Sequence, residues 1–321
     1  MGERVIYLNT GAKLPLVGLG TWQSTGADAK RPVSLALEAG YRHIDTAASY
    51  RNEAAIGEAI RESTIPREDI FVTDKVWCTW LSRVEEALNR SLEALGIGYL
   101  DLWLMHWYDP IYFPDSSLML STAFRPVPLN PKGNDAKAPT LPNGSPDYQK
   151  DWDFVRAWKS MEAVFRKYPD KVKAIGVSNF STVNLEILLS QAAVVPAVNQ
   201  VELHPSLPQD KLVDYCRSKG ITMIAYSPLG SPASSLIQDP DLQQIALRNG
   251  KNVGQCLIAW GTQKGWAVVP KSASEKRIRE NLESFSLSDD DMKLIDLVGR
   301  KMPKRYANPA WAAGIWHDDT D

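Results

Sequence analysis

The chain has 321 residues, 44% of them hydrophobic and 23% charged, which is typical of a globular protein with ample length for a large core. Its formal net charge is -2 at pH 7, and the chain contains no block of basic residues. Both features argue against nucleic acid and anionic membrane as main partners. No uninterrupted apolar run approaches the roughly 18 residues of a membrane span.

The three cysteines, Cys78, Cys216 and Cys256, are scattered along the chain. Because neither a CxxC motif nor a cluster of cysteine and histidine is present, the sequence predicts no disulfide and no metal site. This cysteine usage fits a reducing compartment, and the amino terminus lacks the apolar core of a signal peptide. We therefore expect a cytoplasmic protein.

Residues 4–20 are typical of a small hairpin that leads into a first strand. Short apolar runs, rich in valine and isoleucine, then alternate with helical patterns. The runs are continuous, as expected of parallel strands buried on both faces. Eight such runs are present if the end of the hairpin segment is counted as the first: 16–20, 41–45, 70–77, 100–107, 172–178, 197–203, 221–227 and 266–272.

The segments between these runs predict helices at 29–39, 52–63, 82–96, 153–167, 182–191, 208–219 and 274–284. In 82–96 the apolar residues recur at helical spacing. Ser82 and Glu85 have the spacing of a capping box at its start, and Gly96 is placed to end it.

Eight strands that alternate with helices predict an α/β fold of the (β/α)8 TIM-barrel type, with the chain 1–321 as one domain. The alternative is an open doubly wound sheet, but Gln23 stands where the third glycine of its dinucleotide fingerprint belongs. Residues 107–152 hold eight of the 21 prolines and predict a long loop after the fourth strand. It would rise from the carboxyl-terminal face, where barrel active sites lie.

Polar residues collect at the predicted strand ends. They are Asp45 and Tyr50 at the second strand, Lys75 at the third, His106 at the fourth, Ser178 and Asn179 at the fifth, Gln200 in the sixth, Tyr226 and Ser227 at the seventh, and Lys271 and Ser272 after the eighth. Each alone has a simpler interpretation as a cap, a turn residue, a hydrogen-bonded core histidine or a lysine whose stem reaches solvent. Together they predict one polar site at one end of the barrel.

A buried lysine needs an anionic partner, and Asp45 is the natural one for Lys75. Two opposite charges about 4 Å apart interact by roughly 4 kcal/mol at an effective dielectric of about 20. A nearby ammonium would lower the pKa of Tyr50, and His106 could donate a hydrogen bond to a substrate oxygen. These groups predict a site that protonates an oxygen while another group attacks carbon.

The segments GYRHIDTAASYRNE, DKVW, LMHW, IGVSNF, VNQVELHP, AYSPLGSP and VVPKSASEKRIREN occur in this order. Together they resemble the aldo-keto reductase superfamily, in particular fungal reductases of aldehydes, ketones and sugars, over roughly residues 5–300. The resemblance implies a (β/α)8 barrel with a hairpin at its base. It also implies NADPH/NADP+ as cofactor and a small carbonyl compound as substrate, without metal or flavin.

The resemblance also implies roles for individual residues. Asp45, Tyr50, Lys75 and His106 match the catalytic tetrad, with Tyr50 as general acid. Tyr226 would stack on the nicotinamide, with its carboxamide held by Ser178, Asn179 and Gln200, and with Ser227 and Leu229 near the pyrophosphate. Lys271, Ser272 and Arg277 match positions that hold the 2′-phosphate, and Glu280 and Asn281 those that contact adenine. Trp22, Trp77 and Trp107 would line the substrate pocket, and Trp311 or Trp316 would form a lid.

The sequence departs from the family pattern at Arg51, where glycine is common, at Tyr108, where proline is common, and at Asp74, where a small polar residue is usual. Two alternatives to a reductase stay open: a Schiff-base aldolase with Lys75 as nucleophile, and a cofactor-sensing or subunit-binding module with slow chemistry. A monomer is expected from the resemblance, and the substrate within the carbonyl compounds stays open.

Overall fold

A computed structural model describes residues 4–107, 141–143, 152–231 and 234–308. Within these ranges the strands are β1 (Val5–Tyr7), β2 (Lys13–Pro15), β3 (Leu19–Gly20), β4 (His43–Asp45), β5 (Phe71–Val76), β6 (Leu102–Met105), β7 (Ile175–Ser178), β8 (Val198–Glu202), β9 (Thr222–Tyr226) and β10 (Ala267–Val269). The helices are α1 (Lys30–Ala39), α2 (Glu53–Glu62), α3 (Val84–Leu95), α4 (Phe154–Lys167), α5 (Thr182–Leu189), α6 (Asp210–Ser218), α7 (Pro240–Arg248), α8 (Val253–Gln263), α9 (Glu275–Leu282) and α10 (Asp289–Lys301).

The predicted hairpin is present, with β1 and β2 paired antiparallel so that Ile6 lies opposite Leu14. Leu14 is fully buried and packs in the cluster that fills the barrel interior. The Asn9 side chain donates to the carbonyl oxygen of Pro196, just before β8. The hairpin therefore closes the amino-terminal end of the barrel and leaves the carboxyl-terminal end for function.

The eight predicted strands are all present as β3–β10, each parallel to its neighbour in sequence order. The first and last of them meet through parallel bridges from Val17 to Val268 and from Gly20 to Lys271. The amide of Gly20 donates to the carbonyl oxygen of Pro270 over 3.1 Å. These contacts close the sheet into a barrel, which confirms the predicted fold class.

Side chains of the barrel strands alternate between two apolar layers, because successive residues of a strand face opposite sides of the sheet. Leu102 and Leu104 of β6 pack inside the barrel, whereas Trp103 and Met105 pack between the sheet and the helices. Along the other strands the same alternation points Asp45, Lys75, Ser178, Gln200, Glu202 and Tyr226 inward.

All seven predicted helices are present, but the predicted capping box of α3 is wrong. The helix begins at Val84 after Arg83, and no side chain caps it. Glu85 instead accepts hydrogen bonds from Lys167 and Tyr168 at the end of α4. The Glu85 carboxylate therefore binds residues of another helix and does not cap the start of α3, where the local pattern placed it. Gly96 ends the helix as predicted, in the left-handed conformation with φ 62°.

Three helices were not predicted: α7, α8 and α10. Two of them carry clear start signals, since α7 follows the cap Asp239 with Pro240 and α10 follows the cap Ser288 with three aspartates. The third, α8, is buried along most of its length, so its apolar residues do not recur on one face. No helix in the described part of the chain is both long and apolar enough to cross a membrane.

Candidate active site

Four predicted catalytic residues come from three adjacent strands. Asp45 is the last residue of β4, Tyr50 ends a 3-10 turn just beyond it, Lys75 lies in β5, and His106 follows β6. The order β4–β5–β6 in the sheet places all of them at the carboxyl-terminal end of the barrel. Arg51, after the turn, adopts the left-handed conformation with φ 57°. That conformation strains a side chain but not glycine, which explains why glycine suits this position.

Lys75 and Asp45 form a buried ion pair. Lys75 Nζ lies 2.6 Å from Asp45 Oδ1 and also donates to the carbonyl oxygen of Thr46 over 2.7 Å. The second oxygen of Asp45 accepts from Gln200 Nε2 at 2.7 Å. Lys75 is completely buried and Asp45 is 3% exposed, so each charge depends on the other and on these hydrogen bonds. The pairing expected from the sequence is present.

Tyr50 lies beside this pair and beside His106. Lys75 Nζ is 5.3 Å from the centre of the Tyr50 ring, and the His106 ring meets that ring edge-on at 5.6 Å between centroids. The expectation of a lowered pKa for Tyr50 is wrong for this arrangement. Burial raises the pKa of Tyr50 well above its ordinary value, and the charge of Asp45 adds to the effect. The ammonium of Lys75 is held by Asp45 and does not outweigh these contributions.

Aromatic rings and a hydroxyl surround His106. Trp77 meets the His106 ring edge-on at 5.4 Å, and Trp107 lies tilted to it at 6.5 Å. Ser49 Oγ is 3.3 Å from His106 Nδ1. Two of the three predicted pocket tryptophans are therefore at the site. Trp22 is 54% exposed, so it is not a core residue.

The residues expected to hold the nicotinamide form one network with the ion pair. Ser178 Oγ donates to the carbonyl oxygen of Gln200, and Asn179 Nδ2 donates to Ser178 Oγ and to the carbonyl oxygen of His106. The Tyr226 hydroxyl donates to Asn179 Oδ1 over 2.8 Å. Burial raises the pKa of Tyr226 above its ordinary value, so its hydroxyl stays protonated. These residues lie on β7–β9, across the barrel from Tyr50.

The residues expected to hold the rest of the cofactor lie beyond β9 and β10. Ser227 directly follows β9 and has φ 50°, and Lys271 and Ser272 follow β10. Ser274 caps α9 by accepting from the amide of Arg277, so the helix predicted after Lys271 begins there. Lys271 and Arg277 are both exposed. Within the described ranges neither forms an ion pair, which leaves two cations at one helix start.

Leu229, Glu280 and Asn281 gather around the start of α8. A Cβ built on Gly254 would lie 3.8 Å from Leu229 Cδ1 and 4.0 Å from Asn281 Oδ1. Glu280 Oε2 accepts from the side chain of Asn252, the cap of α8. The structure therefore brings together residues that lie 51 and 52 positions apart in the sequence.

Sequence reasoning missed residues that hold this end of the barrel in place. The buried Asn52 donates to the carbonyl oxygens of Thr21 and Ser24 and accepts from the Thr46 hydroxyl, so it joins the loops after β3 and β4. It stands directly before α2, in the position of a helix cap, but its side chain makes no capping hydrogen bond. Nothing local in the sequence indicates its three distant partners.

A second missed group fixes the chain after α10. The Glu202 carboxylate accepts from the amides of Tyr306 and Ala307, and His204 Nε2 lies 2.8 Å from Glu202 Oε1. Burial by itself would raise the pKa of Glu202, but the hydrogen bonds from His204 and the two amides outweigh it and lower that pKa. Residues 306–307 are thereby attached to the end of β8, next to Tyr226 in register.

Some expectations lie outside the described residues. These are Tyr108, Trp311, Trp316 and most of the loop 107–152. In the described ranges no group of three or more His, Cys, Asp or Glu is arranged to hold a metal ion. The cysteines Cys78, Cys216 and Cys256 are buried, and none of the three forms a disulfide.

A closed barrel of eight parallel strands, with a buried lysine–carboxylate pair beside a tyrosine and a histidine at its carboxyl-terminal end, defines a barrel enzyme of the (β/α)8 class. Residues 16–300 match the sequence profile of the Aldo/keto reductase family, and the chain belongs to this family. It is therefore an oxidoreductase, as the sequence resemblance implied.

Individual relatives cover nearly the whole chain. The glycerol 2-dehydrogenase (NADP(+)) of Saccharomyces cerevisiae is 44% identical over 315 residues, covering 96% of this chain and 95% of the relative. The D-galacturonate reductase of Hypocrea jecorina is 44% identical over 320 residues, 97% of each chain. The solved aldose reductase of Schistosoma japonicum superposes with a TM-score of 0.85 at 35% identity, covering 97% of this chain and 96% of that one.

Proposed function

We propose that this chain is an NADPH-dependent reductase of aldehydes or ketones in which Tyr50 protonates the carbonyl oxygen. One observation carries the proposal: the fully buried Lys75 forms an ion pair with Asp45 and lies 5.3 Å from the ring of Tyr50. A buried ion pair is costly to maintain and is weak support for stability, so its place beside a tyrosine favours a chemical role.

NADPH/NADP+ is the cofactor, and when bound it supplies the hydride. The donor set of the chain fits this molecule. Ser178, Asn179 and Gln200 offer hydroxyl and amide groups for a carboxamide, and Tyr226 offers an aromatic face. The exposed cations Lys271 and Arg277, at the start of α9, suit a phosphate on the adenosine ribose. Ser272, Ser227, Leu229, Glu280 and Asn281 would complete the site.

The proton step follows from the state of Tyr50. A tyrosine is protonated near neutral pH at its ordinary pKa, and burial raises the pKa of Tyr50 further, so Tyr50 carries the proton that reduction needs. As the carbonyl oxygen gains negative charge, it becomes a stronger base than a phenolate, so the O–H bond of Tyr50 breaks as the new O–H bond forms. The Lys75 ammonium then stabilises the phenolate, and Asp45 keeps that ammonium charged and oriented.

His106 would orient the carbonyl group by donating to the same oxygen as Tyr50. Its ring is fixed edge-on to Tyr50 and to Trp77, which limits the directions in which a substrate oxygen can approach. Trp22, Trp77 and Trp107 would form the walls of the substrate pocket. Because the relatives include a glycerol dehydrogenase and a galacturonate reductase by name, small hydroxylated carbonyl compounds are the first class to test.

The Schiff-base alternative requires Lys75 as a free amine at the substrate. In the structure Lys75 is completely buried, and its ammonium donates to Asp45 and to the Thr46 carbonyl oxygen. A lysine held as a charged, hydrogen-bonded cation is a poor nucleophile. The geometry therefore favours reduction over aldol chemistry.

The test compares Tyr50→Phe with Tyr99→Phe. Tyr99 lies at the amino-terminal end of the barrel, where Arg67 stacks on its ring. NADPH oxidation is followed by absorbance over a panel of aldehydes, ketones and hydroxylated carbonyl compounds, and NADPH binding by tryptophan fluorescence. Tyr50→Phe should lower kcat by at least roughly 100-fold while NADPH affinity stays within about threefold. Turnover that survives in Tyr50→Phe would refute the acid assignment.

Cofactor preference is tested with Lys271→Met/Arg277→Met. The double variant should lose affinity for NADPH by roughly 10- to 100-fold and bind NADH unchanged, because only NADPH carries the additional phosphate. Equal affinity of the unaltered protein for NADPH and NADH would contradict the assignment of these two residues.

A further inference from the structure

The turn that carries Tyr50 also carries a second hydroxyl group, that of Ser49. Both residues belong to the 3-10 turn Ala48–Tyr50, directly after β4. The amide of Tyr50 donates to the carbonyl oxygen of Ala47 over 2.9 Å, so a backbone hydrogen bond holds the turn. The half-buried Ser49 side chain reaches His106, with its Oγ atom 3.3 Å from Nδ1 of the imidazole. One short turn therefore brings two hydroxyl groups to the same histidine ring.

The structure holds His106 in a single position. Its amide donates to the carbonyl oxygen of Val76 over 3.1 Å, and its own carbonyl oxygen accepts from Asn179 Nδ2 over 3.0 Å. Its ring is 6% exposed and meets the rings of Tyr50 and Trp77 edge-on. Because backbone and ring are both held, the direction in which each ring nitrogen points is fixed as well.

The proton on the His106 ring has two possible places. In a neutral imidazole one nitrogen carries the proton and donates, and the other accepts. The hydrogen bond made at one nitrogen decides the state of the other. Nδ1 is the nitrogen that meets Ser49, so Nε2 is the one that can meet a substrate oxygen. A neutral His106 can donate from Nε2 only if Nδ1 accepts, and the Ser49 hydroxyl has the proton that Nδ1 would accept.

We propose that the Ser49 hydroxyl donates to His106 Nδ1 and thereby keeps the ring proton on Nε2, where it faces the carbonyl oxygen of the substrate. Ser49 is a positioning residue, since it acts through His106 and not on the substrate. The inference rests on the proposed function, in which His106 orients the carbonyl group. In the other tautomer Nε2 would present a lone pair to that oxygen, and the two would repel each other.

Two variants of equal shape isolate the hydroxyl group. Ser49→Thr keeps it and adds a methyl group, whereas Ser49→Val has a methyl group in its place. Any strain that a β-branched residue causes in the turn is common to both variants. The measurements are kcat/KM for reduction of the carbonyl panel, by NADPH absorbance, and NADPH affinity, by tryptophan fluorescence.

Ser49→Val should have a kcat/KM roughly threefold to tenfold below that of Ser49→Thr, which is the effect of losing one neutral hydrogen bond. NADPH affinity should not differ between the two variants, because the proposed cofactor residues lie on and beyond β7–β10. Equal kcat/KM values for Ser49→Thr and Ser49→Val would contradict the role of the hydroxyl group.

The tautomer itself is measured by nitrogen-15 NMR of the protein labelled in its four histidines. Nitrogen shifts distinguish a protonated ring nitrogen from an unprotonated one, and the loss of signals in His106→Gln assigns those of His106. At pH 8, above the ordinary histidine pKa of about 6.5, the unaltered protein and Ser49→Thr should carry the proton on Nε2. In Ser49→Val the tautomer ratio should shift towards Nδ1 by roughly threefold to tenfold.

His43 is the internal control of the NMR experiment. Its Nε2 lies 3.0 Å from Thr73 Oγ1, below the Lys75–Asp45 pair, so its signals should be the same in every variant at position 49. A proton on His106 Nδ1 in the unaltered protein would overturn the proposal even in an active enzyme.

The NMR readout separates this proposal from the proposed function, because it does not depend on turnover. If the tautomer shifts in Ser49→Val but the unaltered protein reduces no carbonyl compound, the proposed function is refuted and the Ser49–His106 hydrogen bond stands. If the enzyme is active and the two variants share one tautomer ratio and one rate, the role of Ser49 is refuted and the proposed function stands.

Discussion

Removing one partner of the Lys75–Asp45 pair should cost far more than removing both. Lys75→Met replaces the ammonium by an apolar chain of similar length and leaves Asp45, 3% exposed, with the hydrogen bond from Gln200 but without a counter-charge. At the observed 2.6 Å the charges attract by about 6 kcal/mol at an effective dielectric of about 20. The desolvation of two ions offsets most of this gain in the intact protein. In the single variant the desolvation of Asp45 is uncompensated, so we expect a loss of about 3 to 5 kcal/mol.

Asp45→Asn/Lys75→Met removes both charges and keeps an oxygen that can accept from Gln200. Its loss of stability should be about 2 kcal/mol or less, and so smaller than that of either single variant. Urea unfolding followed by circular dichroism gives the three values and their coupling energy. If the single losses are below about 1 kcal/mol and simply add, the pair is not the compensated buried unit described above. NADPH reduction should be lost in all three variants, because each lacks the charged lysine.

Further expected outcomes concern stability. Gly57→Ala would overlap the backbone carbonyl at the end of α3, so it should destabilise by more than about 3 kcal/mol in urea unfolding. Glu202→Gln leaves only one acceptor for the amides of 306–307 and should release this segment to limited proteolysis while the barrel stays folded. In Asp74→Asn the sign depends on pH. Burial raises the pKa of Asp74 to about 6, so the stability of the unaltered protein falls as the pH rises from about 4 to about 6, and the variant should gain stability above about pH 6 and none at pH 4.

The helix starts show where sequence reasoning succeeded and where it failed. Gly96 ended α3 as predicted, because a left-handed glycine cap is a property of the local backbone. The Ser82–Glu85 capping box failed, because the Glu85 carboxylate found stronger partners on α4. The burial of α8 hid its period for a similar reason: contacts on several sides, made by distant segments, removed the polar face that would have revealed it.

In the candidate active site, too, some features could be predicted from the sequence and others could not. That Lys75 would pair with Asp45 followed from the cost of burying a lysine alone, and the strand order placed them together. The direction in which the pKa of Tyr50 shifts could not be predicted. It depends on how deeply the ring is buried and on which charges are already paired. The sequence shows Asp74 as an unusual residue beside Lys75, but not that its carboxyl group is completely buried.

By itself the sequence determined the eight-stranded barrel, the end of it that carries the chemistry, and the residues that meet there. These follow from periodicity and from the fixed order of strands in a parallel barrel, which are properties of the chain read locally. Only the tertiary structure decided the charge state of the site. Burial, counter-charges and hydrogen bonds from distant segments set how firmly Tyr50 holds its proton and whether Lys75 is a free amine. Electrostatic energies depend on surroundings that no local pattern encodes.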